Sequence, residues 1–250
     1  MTQLGFMGDD KKPLIMDYGY GFLQGAEKAA EEQGVSVKVN YHYCTDDDDR
    51  DSIIEKSNQW YGAGTEAIFA CGNTVEQPVI ESAEILNKKV IAYETDKSQM
   101  SDTVVTSSVK DIESALKTVL EQYKDDKFPG GSTVKYDIAN DGIWLEIENG
   151  KLENLDKSDY NDIIKNIKDG NIKVKRYDSG NISSLALSNV QVNRTINIIK
   201  NKKEEIFVTP PFYYAVNINF TDIDGIDGIS KKKFYERSLH LHKICVQSSL

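Results

Sequence analysis

Along the first half of the chain, short apolar runs alternate with stretches whose apolar positions recur at the spacing of one helix face. Gln3 to Gly8 reads as a buried strand ending in glycine, and Asp9 to Pro13 as the polar loop after it. From Leu14 to Gln33, apolar side chains at Leu14, Tyr18, Phe22, Ala26 and Ala29 or Ala30 keep near-helical spacing, and Gly34 supplies a stop. A strand with alternating Val35, Val37 and Val39 then runs to Tyr43. The carboxylates Asp46 to Asp49 ahead of Ile53 and Ile54 predict the first turn of a helix, where negative charge complements the helix dipole. That helix extends to about Tyr61 and ends at Gly62 to Gly64. Ala67 to Cys71 predicts a third strand, Glu76 to Asn87 a helix and Lys89 to Tyr93 a fourth strand. A short fifth strand at Val104 to Thr106 precedes an amphipathic helix from Lys110 to about Tyr123.

Strands alternating with helices of this length predict an α/β fold with a doubly wound, mostly parallel sheet covered on both faces and joined by right-handed crossovers. One lobe is expected over residues 1–130. Phe128 to Gly131 turns the chain into a strand at Ser132 to Ile138, and Asp156 to Gly170 predicts a further helix, so that 131–174 reads as a crossover back toward another lobe. Residues 175–250 are rich in Asn, Ile, Ser and Lys, and the β-like stretch Ile206 to Phe220 is interrupted by Pro210 and Pro211. No architecture follows from that pattern, and a partial or rearranged second lobe would fit it.

The chain has 250 residues with 39% apolar content, enough to bury a substantial core. A net charge of −10 and a pI near 4.9 argue against nucleic acid or an anionic membrane surface as the main partner, since the only lysine cluster is Lys231 to Lys233. Cys44, Cys71 and Cys245 form an odd set without CxxC spacing, which suggests neither a disulfide framework nor a zinc site. No metal or cofactor is therefore expected. No apolar run reaches the roughly 18 residues of a bilayer span, and Asp9, Asp10, Lys11 and Lys12 stand where a signal peptide would be apolar. The histidines His42, His240 and His242 lack a metal-spaced carboxylate or cysteine beside the close pair, and no hydrolase, zincin, P-loop or dinucleotide motif is present. An enzyme is disfavoured.

In an open α/β sheet, ligands bind beyond the carboxyl ends of the strands. The segments at those ends carry a resemblance. Leu4 to Gly8, then Pro13, Tyr18, Gly21-Phe22 and Gly25, followed by Val39 to Tyr41, Ala67 to Gly72, Val90 to Lys97 and Val104 to Lys110, together resemble the basic membrane protein family. These are bacterial nucleoside-binding lipoproteins, solute-binding subunits of ABC transporters with the type I periplasmic-binding-protein fold. The likeness covers about residues 1–174. It implies a nucleoside ligand, permease subunits as partners, and an extracytoplasmic lipoprotein or periplasmic location for the parent protein, with no export signal in this chain.

The resemblance also implies site residues. Tyr18 stands where the family has an aromatic ring that stacks on the nucleobase, although its spacing equally suits a core aromatic on a helix face. Glu94 and Asp96 stand where the family has a carboxylate that grips ribose hydroxyls, and both also suit an exposed loop. Glu94 is longer than the family's Asp, which would shift the sugar or leave Asp96 as the acceptor. Lys110 matches a lysine that reaches the ligand from the first turn of a helix, serving ribose oxygens or pairing with Asp96, or else is simply solvated there. Asn73, in a loop after the third strand, offers a further hydrogen bond or is only a turn residue.

Family members open with another lobe that completes the cleft, whereas this chain starts at the second lobe. Thr221 to Gly228 looks like a degraded copy of that lobe's opening loop and also resembles a calcium loop lacking its terminal Glu. Two functions follow. One is a nucleoside receptor working through an aromatic stack and a carboxylate clamp. The other is a truncated or degenerate member acting as a regulatory or interaction protein, self-associating through the face the other lobe would cover.

Overall fold

The computed structural model describes residues 1–131, 134–153, 155–177 and 182–194, together with two short strands, Tyr214–Ala215 and Cys245–Val246. In chain order the elements are β1 (Thr2–Gly8), α1 (Pro13–Gln33), β2 (Val37–Tyr43), α2 (Arg50–Gly62), β3 (Ala67–Cys71), α3 (Asn73–Leu86), β4 (Lys89–Glu94), β5 (Val104–Lys110), α4 (Ile112–Lys124), β6 (Ile143–Leu145), α5 (Lys157–Lys168) and β7 (Val190–Arg194). The two short strands are β8 and β9, paired antiparallel with each other.

Strands β1 to β7 form one sheet in the order β6-β5-β4-β3-β1-β2-β7. All neighbours are parallel except β6, which runs antiparallel along β5. The chain therefore winds outward from β1 in one direction to β2 and in the other to β3, β4 and β5. The switch of direction lies at β1, and the loops after β1 and β3 flank the crevice that such a switch opens. One face of the sheet packs Phe6, Tyr41 and Phe69 beneath Leu14, Tyr18 and Leu23 of α1. The other packs Met7, Ile68 and Val90 beneath Ile53 and Trp60 of α2 and Val79 and Ala83 of α3. Because both faces are covered, β3 is buried continuously from Ile68 to Cys71 rather than alternately.

Helix ends follow local chemistry. Gly34 adopts φ 63 and its N–H closes the last turn of α1. The acidic cluster does not form the first turn of α2. Asp49 is its N-cap, accepting from Ser52 N, only Asp51 lies in the first turn, and Asp48 folds back onto Thr45.

Several expected boundaries move. The second strand begins at Val37, and Val35 stays outside it, exposed. Helix α3 begins at Asn73, not Glu76, because the Asp9 carboxylate, from a loop far away in sequence, accepts the Asn73 N–H at 3.1 Å and so serves the helix start. Strand β5 continues through Ser107 and Ser108 to Lys110, so Lys110 ends a strand and does not start a helix. Two of its buried hydroxyls are satisfied, since Thr106 Oγ1 donates to Glu146 O at 2.7 Å and Ser107 Oγ accepts from Lys97 N at 3.0 Å. The helix after it starts at Ile112, capped by Asp111.

The described part of the expected strand Ser132 to Ile138 is not a strand. Ile138–Asn140 forms a short 3-10 turn, closed by Asp137 and Asn140 capping each other, and β6 follows it. Helix α5 lies where the Asp156 to Gly170 pattern put it, with Asp156 as N-cap. Strand β7 joins the sheet in a region for which the pattern gave no architecture. Thr221 to Gly228, His240 and His242 lie outside the described residues, as does most of Ile206 to Phe220.

Candidate functional site

The carboxyl ends of β1, β3, β4 and β5 deliver Asp9, Gly72, Glu94 and Lys110 to one rim of the sheet. Lys110 is the centre of the cluster. Its ammonium donates to the Tyr93 hydroxyl and to Glu94 Oε1 at 3.3 Å, lies 4.4 Å from the centroid of the Tyr93 ring, and lies 5.9 Å from that of Tyr18. The Lys110 side chain is only 7% exposed, whereas Glu94 is 31% exposed. Glu94 is thus the face that the cluster presents outward, with the cation beneath it. Burial pushes the Lys110 pKa below the ordinary lysine value, and the neighbouring Glu94 charge offsets part of that.

Glu94 is held in a conformation that its residue type does not favour. Its φ is 72, in the left-handed region where non-glycine residues are scarce. The loop that imposes it is clamped from several sides. The buried Glu76 carboxylate of α3 accepts the Tyr93 N–H at 2.7 Å and binds the Lys97 ammonium, which also donates to Tyr93 O at 2.9 Å. Burial raises the Glu76 pKa despite that cation. Sequence reading passed over Glu76, Tyr93 and Lys97. For Tyr93 the available signal was its place beside Glu94, one residue before the end of a strand.

Of the five residues implied by the resemblance, Tyr18, Glu94 and Lys110 come together. Tyr18 is 2% exposed and meets Phe69 and Tyr93 edge-to-face, at 5.9 and 5.3 Å between centroids, which is the geometry of a core aromatic. Asp96 is exposed and turned into its own loop, where it accepts from Ser98 N at 2.9 Å and Asn149 Nδ2 at 3.2 Å, bonds that hold its pKa low against its partial burial. The ion-pair partner of Lys110 is therefore Glu94 and not Asp96. Asn73 is the first residue of α3, at the switch point, bonded through its backbone to Asp9. Gly72 before it has φ 130, and a Cβ there would come within 2.1 Å of the Asp9 carboxyl carbon, so glycine is required for this approach.

On the opposite face of the sheet, His42, Cys44 and Asp48 are a group of potential metal ligands that the cysteine spacing did not indicate. No helix among the described residues is long and apolar enough to cross a membrane.

Comparison with known proteins places the chain in a family. Residues 1–178 match the family of PnrA-like ABC transporter substrate-binding proteins. The ABC transporter nucleoside-binding protein BmpA of Lactococcus lactis is 25% identical over 170 residues, which is 61% of this chain and 47% of that protein. The transcriptional activator protein med of Bacillus subtilis is 27% identical over 139 residues, covering 55% of this chain and 42% of med. An ABC transporter solute-binding protein from Conexibacter woesei shares the fold at a TM-score of 0.56 and 14% identity, over 70% of this chain and 57% of its own. The chain spans about half the length of the curated relatives it matches. On the extent of the family match, the chain belongs to the PnrA-like ABC transporter substrate-binding family.

Proposed function

We propose that this chain carries one wall of a nucleoside-binding cleft and serves, in its parent protein, as the extracytoplasmic receptor of an ABC transporter, delivering its solute to permease subunits. The observation that carries the reading is the Glu94 and Lys110 pair at the strand ends. A ribose offers two adjacent hydroxyls, and a half-exposed carboxylate accepts both, while the ammonium behind it donates to a sugar oxygen. The positive φ of Glu94 supports the same reading, since backbone strain tends to be retained where it positions a functional side chain. The likeness to a nucleoside-binding relative supplies the ligand class.

In this reading Tyr18 and Tyr93 form the aromatic wall that backs Lys110. Tyr18 contributes by packing, and Asp96 by shaping the loop. No group in the cluster is arranged as a nucleophile with its base, and recognition without turnover is the expected behaviour. One wall supplies only part of a ligand's contacts, so binding in the micromolar to millimolar range is expected for this chain alone.

Calorimetric titration with guanosine, adenosine, inosine and uridine tests the proposal. Saturable binding that is abolished by Glu94→Gln is expected. Absence of heat with every nucleoside, or binding indifferent to Glu94→Gln, overturns it. The likeness to a transcriptional activator favours a second reading, in which the fold is kept for regulation and not transport. A silent titration accompanied by a concentration-dependent dimer in sedimentation would select that reading.

A further inference from the structure

We propose that His42, Cys44 and Asp48 form a binding site for a divalent metal ion of the zinc and cobalt class, separate from the Glu94 and Lys110 cluster. His42 and Cys44 are two residues apart along β2 and its extension, which the Cys44 N–H prolongs by donating to Gly8 O at 2.8 Å. Side chains at that spacing leave the same face of a strand. Here that face is the α2 side, where Cys44 packs with Met7 and Ile53. Asp48 arrives from the turn just before α2. One donor atom from each of the three residues lies within 4.8 Å of the others.

Three features distinguish this group from an ordinary buried polar cluster. The first is His42 Nε2, which is buried and makes no hydrogen bond although Asp48 Oδ2 stands 3.4 Å away. A buried imidazole nitrogen left without a hydrogen bond costs stability, and a metal ion would satisfy it. The second is the orientation of the carboxylate. Asp48 Oδ2 accepts from Thr45 N at 2.9 Å and Thr45 Oγ1 at 3.2 Å, the kind of outer contact that fixes a ligand in place.

The third is charge. A dication bound by one thiolate and one carboxylate is neutral overall, and a neutral assembly can be buried at little cost. Nearby charges are Asp9 on the loop after β1, Lys11 on the same loop and Lys56 on α2, which oppose one another. Cys44 binds as the thiolate, so its proton passes to solvent as the sulfur–metal bond forms.

Nitrogen, sulfur and oxygen donors together suit borderline ions, and a three-residue set leaves a position for solvent.

The test loads the full chain with zinc or cobalt under a non-thiol reductant, removes the excess by gel filtration, and measures metal content and the cobalt absorption spectrum. One equivalent per chain is expected, with a thiolate-to-cobalt charge-transfer band retained in Cys245→Ser and absent in Cys44→Ser. Asp48→Asn should weaken zinc binding at least about tenfold. No retained metal, or a band that survives Cys44→Ser, overturns the proposal. Should Cys44→Ser lose its far-ultraviolet circular dichroism, Asp48→Asn decides, and unchanged zinc affinity in that variant overturns the proposal equally.

Discussion

Strands β1 to β5 and the edge strand β7 belong to one sheet but are held in different ways. The inner strands are secured by apolar burial on both faces. Phe6, Val39, Ile68 and Val90 are all fully buried, and much of the free energy comes from area removed from water. Strand β7 pairs with β2 and buries Val190, and the segments leading to it are also tied to α1 by polar contacts. The Glu27 carboxylate accepts from Ser188 N, Asn189 N, Asn189 Nδ2 and Val190 N at 2.9 to 3.0 Å. Asp17 accepts from Tyr177 N at 2.6 Å and Arg176 Nη2 at 3.0 Å. The first kind of attachment resists salt and acid. The second depends on the charge of a few side chains.

The largest effect is expected in the apolar layer. Leu23 is fully buried between α1 and the sheet, and Leu23→Ala should cost about 2–5 kcal/mol, read from denaturant unfolding. A cost below 1 kcal/mol would mean that the α1 face is not the core of this lobe.

Glu27→Ala tests the other attachment. Its bonds are numerous but only partly buried, so a loss of about 1 kcal/mol is expected after discounting for screening. The effect should be local, appearing as faster amide exchange at Val37, whose N–H donates to Asn189 O, and through Val190–Arg194. Burial raises the Glu27 pKa, but the bonds from Asn189, Ser188 and Val190 together outweigh it and hold the pKa below its ordinary 4.5. A carboxylate with a depressed folded pKa contributes stability that is present above its unfolded value and lost as pH falls through the folded one. The exchange difference between wild type and Glu27→Ala should therefore narrow as the solution is acidified below 4.5. A difference independent of pH would place the attachment elsewhere.

The same contrast explains what could be read from the chain. Strands β1, β3 and β4 and helices α1 and α2 were visible because their apolar spacing is itself the cause of their burial. Strand β5 was read too short because Ser107 and Ser108 look solvent-facing, although both are buried and Ser107 Oγ accepts from Lys97 N. Strand β7 was invisible because its partners, strand β2 and a carboxylate on α1, lie more than 150 residues earlier. At the rim, Lys110 and Glu94 were found by resemblance. Their pairing with each other depends on the further strand residues that bring Lys110 beside Tyr93.

The smallest expected change in stability is also the one that most sharply separates the rim from the core. Lys110 is nearly as buried as the apolar residues around it, yet its charge is penalised by that burial and only partly repaid by Glu94. Its folded pKa lies below the unfolded 10.5, so at neutral pH the folded state carries a cost that disappears as pH rises through the lowered value toward 10.5. Lys110→Met removes that cost while keeping the aliphatic stem against Tyr93. Thermal unfolding at neutral pH should be unchanged or shifted slightly upward, by less than about 1 kcal/mol, while the nucleoside affinity proposed for this rim is lost. A structural lysine would behave oppositely, with Lys110→Met unfolding several degrees earlier, and that result would move the residue from the binding wall into the framework of the sheet.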